Sequence, residues 1–105
     1  MIPYEAKPTP VHKTIVGEKI IAAIRILIRA ATTGESDAEP VAAFLLAWHD
    51  PIVYGGFSIQ DLWGMEESAR NAAAILFAWI SDNRATPQDL ELELVFEAIG
   101  ARWAN

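Results

Sequence analysis

The chain has 105 residues, 52% of them hydrophobic and 21% charged, which is the length of one domain and the composition of a folding chain rather than a disordered tail. It contains no cysteine, which excludes disulfide scaffolds, thiol nucleophiles and cysteine-ligated zinc or iron–sulfur centres. Eight Lys and Arg against fourteen Asp and Glu leave a net charge of −6, an acidic balance that argues against a general nucleic-acid binder.

Residues 1–9 read as an extended arm, because Pro3, Pro8 and Pro10 each bias the preceding residue away from helix. The arm has no apolar run of the secretory-signal kind. Residues 10–105 read as one helical domain. Thr9-Pro10 forms a start signal, and apolar periodicity predicts a first helix from Pro10 to Thr32. Its inner face is Ile20, Ile24, Leu27 and Ala31 with Ile21 and Ile28 beside them, its wet side Glu18, Arg25, Arg29 and Thr32. Gly17 is a weak interior position, and Gly34 is placed to end the helix. The apolar stretch from Ile20 to Ala31 is broken by Arg25 and Arg29 and is far shorter than the ~20 apolar residues of a membrane span. The expectation is a cytoplasmic protein with no membrane contact.

Glu35 to Pro40 is an acidic loop leading into a second helix, Val41 to His49, which is nearly all apolar and therefore buried on most sides. Asp50-Pro51 is expected to stop it, and Ile52 to Phe57 to be irregular around the Gly55-Gly56 turn. Ser58 and Asp61 have the spacing of a capping box, so a short helix over Ile59–Trp63 should follow and end at Gly64. The next long helix covers Glu66 to Asn83, with Ala69, Ala72, Ala73, Leu76, Phe77 and Ile80 as its core stripe. Thr86-Pro87-Gln88-Asp89 is another start signal. Leu90 to Leu94 alternates in a strand-like way, but the cap and the lack of a partner strand favour helix, which resumes or continues from Glu93 to Ile99, with Trp103 as its furthest extent. The fold class is all-α: a compact bundle of four main helices plus one short helix after the glycine pair.

The charge is uneven. Residues 1–33 hold five basic and two acidic residues, +3, while residues 34–105 hold three basic and twelve acidic ones, −9. Such a surface is commonly just a hydrated exterior. Its sharper meaning is an acidic face that steers a basic partner. His49-Asp50 is a candidate general base or metal ligand, but adjacent residues diverge on a helix and no nucleophile pattern accompanies them. The simpler reading is that His49 meets the helix dipole. Asp61, Glu66 and Glu67 lack the spacing of a metal or calcium site, and Gly55-Gly56 lacks a phosphate-loop pattern. No catalytic, cofactor or metal residue is assigned. Trp48, Trp63, Trp79 and Trp103 are read as core, and Tyr54 and Phe57, flanking the glycines, as the exposed aromatic anchors.

Phe44 to Trp48, Gly55-Gly56-Phe57, Asp61-Leu62-Trp63, the segment Pro87 to Leu90 and the late Trp103 together resemble a small domain of unknown function. That domain occurs in short proteins of bacterial plasmids, integrative conjugative elements and phages. The resemblance spans about Val41 to Trp103 and implies a mobile-element context without an activity. The expected function is non-enzymatic protein–protein binding, in one form an anti-CRISPR-like inhibitor of a host nucleic-acid-handling complex. Its contacts to a basic protein surface would be Asp61, Glu66, Glu67, Glu91 and Glu93, with Tyr54 and Phe57 as anchors. Two alternatives are a DNA-associated factor using Lys13, Lys19, Arg25 and Arg29, and a small hydrolase centred on His49. Self-association through the apolar second helix fits any of them.

Overall fold

Apolar side chains spaced three and four apart dominate the chain, and the backbone follows them. The computed structural model describes residues 16–33 and 36–103, and no strand occurs among them. The described residues form α1 (Glu18–Thr32), α2 (Ala38–His49), α3 (Pro51–Tyr54), α4 (Glu67–Asn83) and α5 (Glu93–Trp103), with 3₁₀ turns at Ile59–Gly64 and Gln88–Leu90. The architecture is the expected all-α bundle with four main helices. The arm over residues 1–9, the start at Pro10 and the stop at Gly34 lie outside the described residues.

α2 is the centre. Val41, Ala42, Phe44, Leu45 and Leu46 are all buried. α1 and α5 pack against it from different sides, α3 and the first 3₁₀ turn cover more of it, and α4 lies on α1. Ile20, Ala23, Ile24, Leu27 and Ala31 face inward from α1, Leu76 and three alanines from α4, Phe96 and Ile99 from α5. Burying each large aliphatic or aromatic residue contributes about 1.5–3 kcal/mol. Because α2 is enclosed, it cannot serve as the self-association surface the sequence suggested.

Local chemistry corrects several boundaries. Gly17 is not interior: it precedes α1 as its N-cap, in extended conformation. Asp50-Pro51 does end α2, but it also starts α3, because Asp50 Oδ1 accepts the Val53 N–H at 3.2 Å and Pro51 sits where its missing donor costs nothing. The Ser58/Asp61 capping box is present, and the turn it begins is a 3₁₀ helix. Thr86 and Asp89 exchange reciprocal bonds, the Thr86 N–H donating to Asp89 Oδ2 at 2.9 Å. That cap launches a single 3₁₀ turn, and Glu91, at φ 61°, then breaks the path before α5 begins. The helix expected through Leu90–Leu94 is thus interrupted at Glu91.

Three tryptophans bear out the core reading in part. Trp48, Trp79 and Trp103 pack half-buried against the core. The Trp48 indole N–H donates to the Ala85 carbonyl at 2.8 Å and that of Trp103 to the Ala31 carbonyl at 3.1 Å. Each bond ties a helix to a segment far away in sequence. Trp63 is the exception and stands in solvent. Phe77 is the second miss: it lies about 100° around α4 from Leu76, off the seam formed by Ala69, Ala72, Ala73 and Leu76, and it is exposed.

Gly100 is buried in α5 beneath Tyr54, and a Cβ there would come within 2.6 Å of the Tyr54 ring and hydroxyl. Gly100→Ala is therefore expected to destabilise by about 1–3 kcal/mol through overpacking. In a Tyr54→Ala background the same change is expected to stabilise by up to about 1 kcal/mol, the ordinary helix preference for alanine. Urea unfolding of the four members of this cycle reads the change of sign.

Candidate functional site

The residues expected to meet a partner separate into groups. Asp61 is not a free contact: Oδ2 accepts the Ser58 N–H at 3.1 Å, closing its capping box. Glu66 and Glu67 stand exposed at the start of α4. The Glu66 N–H donates to Oδ2 of buried Asp37 at 2.9 Å, which joins the start of α2 to the start of α4, and its carboxylate accepts the Ser36 hydroxyl at 3.2 Å. Glu91 and Glu93 are exposed at the entry to α5. Glu93 shares a hollow with His49, at the other end of α2. The twelve residues of α2 at 1.5 Å each put about 18 Å between these groups. The acids form two patches and not one continuous face.

Tyr54 and Phe57 are not exposed anchors. Tyr54 stacks on His49 with ring centroids 6.0 Å apart. Phe57 meets Phe44 edge-on at 5.1 Å. Both pack half-buried against the core. The exposed aromatics are Trp63, 77% accessible, and Phe77, 64%, with Ile59 at 68% nearby in sequence. Phe77 and Ile59 rim an apolar groove of about 250 Å³ whose walls include Phe44, Phe57, Leu62 and Ala73, with Arg70 as its one charge. Residue type gave no warning of Trp63. Phe77 was legible from its angle on the helix wheel.

His49 is 9% exposed and its Nε2 lies 3.0 Å from Glu97 Oε2. Phe96 and Tyr54 flank the imidazole. Sequence reasoning saw the helix end but missed Glu97, which comes from α5, 48 residues later. Asp50 is engaged with α3, so the two neighbours act separately. The hollow beside the pair, about 200 Å³, is lined by Thr86, Gln88 and Glu93 among others. A carboxylate-oriented imidazole can accept a proton. Among the described residues, no serine or threonine hydroxyl bonds to it. A third hollow, about 340 Å³, lies where Arg25 and Arg29 of α1 approach Asp37 and Glu66. Among the described residues no group of three or more His, Asp or Glu could hold a metal ion. No described helix is long and apolar enough to cross a membrane.

Residues 21–104 match a family described as "Family of unknown function (DUF7673)". The match covers the stretch in which the resemblance was read and extends it back into α1. No curated protein sequence and no solved structure matches the chain.

The burial difference across the His49–Glu97 pair predicts unequal effects. Glu97 is 54% exposed, so Glu97→Ala should cost no more than about 1 kcal/mol, the scale of a surface pair. His49→Ala should cost about 2 kcal/mol or more, because it also removes ring packing between α2, α3 and α5. Thermal unfolding of both variants at one pH gives the comparison.

Proposed function

The chain belongs to this family of unknown function, and we propose that it acts by protein–protein contact rather than by transforming a substrate. The proposed partner is a protein with a basic surface, encoded by a host or by the mobile element that carries this chain. The concrete form is an anti-CRISPR-like inhibitor, whose carboxylates compete with nucleic-acid phosphates for a basic groove. The observation that carries the reading is the unneutralised charge. With −6 on the chain, the one ion pair within 4.0 Å among the described residues is His49–Glu97. The side chains of Glu67, Glu91 and Glu93 make no hydrogen bond or ion pair among the described residues. Their field acts on solvent and on whatever approaches, which speeds encounter with a basic surface and makes it salt-dependent.

The DNA-associated alternative has less support. Arg25 and Arg29 share their hollow with the carboxylates of Asp37 and Glu66, which repel phosphate. The hydrolase alternative rests on the His49–Glu97 pair alone.

Affinity capture from host lysate tests the reading, with Glu66→Gln/Glu67→Gln and Glu91→Gln/Glu93→Gln beside the parent chain. A captured basic protein should weaken by about tenfold in affinity for at least one double variant, and bind less as ionic strength rises from ~50 to ~300 mM, where the Debye length shortens. Capture indifferent to salt and to both double variants overturns the acidic-contact reading.

A further inference from the structure

We propose that α4 forms a two-fold interface with a second copy of this chain, through the face it turns away from α1. Six exposed positions of α4 are chemically paired about the level of Leu76. In an antiparallel pairing of two α4 helices on an axis at that level, Ala74 of one copy lies opposite Ala78 of the other. Asn71 lies opposite Ser81, and Arg70 opposite Asp82. All six are exposed. A two-fold interface needs this property, since each residue must suit its counterpart in both directions. The small central pair allows close approach, and the outer pair is of opposite charge. Asp82 makes no side-chain bond among the described residues. Arg70 gives one N–H to the Met65 carbonyl at 3.2 Å, leaving further donors of its guanidinium fork.

The apolar groove supplies the rest of the fit. Phe77, at its rim, projects from near the middle of α4 beside a cleft walled by Phe44, Phe57, Ile59 and Leu62. A cleft of about 250 Å³ accommodates an aromatic ring, since benzene enters an apolar cavity of about 150 Å³. The exposed parts of Ile59 and Phe77, both on the groove, amount to roughly 250 Å² per copy, about a third of the ~800 Å² that each partner buries in a standard stable interface. Charge favours the same face. Two chains of −6 repel over most of their surfaces, whereas the groove contains one charged residue, Arg70, and no carboxylate.

Sedimentation equilibrium of the full chain over ~1–500 µM tests this, with a dimer in the micromolar range expected for an interface of this size. Phe77→Ser should raise the dissociation constant at least tenfold. Arg70→Asp and Asp82→Arg should each weaken the dimer, and the double swap should restore it to within about threefold of the parent. Circular dichroism should be unchanged throughout, because all three positions are exposed. A chain monomeric at ~500 µM overturns the proposal, as does a dimer indifferent to Phe77→Ser or a double swap that fails to restore association. None of these results bears on capture of a basic partner, which the glutamate variants test separately.

Discussion

The fold depends on having to hide α2 from water. A helix with apolar residues around most of its circumference is stable only when covered on several sides. Here α1, α3, α5 and the first 3₁₀ turn provide that cover. α4 then needs only a narrow seam, because it packs on the already amphipathic α1. Its alanine-rich seam fills the contact with α1, and Phe77 is left outside. The two indole bonds, from Trp48 and Trp103, hold the ends of the arrangement to the carbonyls of Ala85, in a chain turn, and Ala31, in a last helical turn.

The elements held in place by local chemistry are legible in the sequence. Ser58 with Asp61, and Thr86 with Asp89, satisfy backbone donors within three residues, so spacing alone reveals them. The inner faces of α1 and α4 follow from helical periodicity; Ile21 and Phe77, expected beside or within them, are exposed because their angles on the helix wheel lie off the seams. What periodicity cannot reveal is where a short polar link goes next. Asp50-Pro51 has the pattern of a helix stop, yet the same pair is an N-cap and first turn. Glu91 adopts a left-handed conformation that its residue type does not advertise. The site was harder still. Tyr54 and Phe57 looked exposed because glycines flank them, but Gly100 opens a place for one and Phe44 for the other, and both openings come from distant segments.

The candidate contact regions differ in kind. The glutamates at the starts of α4 and α5 are long-range, hydrated and salt-sensitive. The groove beside Phe77 is short-range and nearly uncharged. A protein that pairs through the second would present the first twice, and two acidic arrays held at fixed spacing engage a repeated or elongated basic surface more tightly than either does alone.

The carboxylates also divide by side-chain length. Four of the five described aspartates, Asp37, Asp50, Asp61 and Asp89, accept a backbone N–H, and none of the seven described glutamates does. The shorter acid builds corners, while the longer one mostly decorates. Fold and surface chemistry are thereby uncoupled. Substitutions at Glu67 and Glu93, whose side chains make no bond among the described residues, leave every corner intact, so the coat can be redrawn there over an unchanged frame.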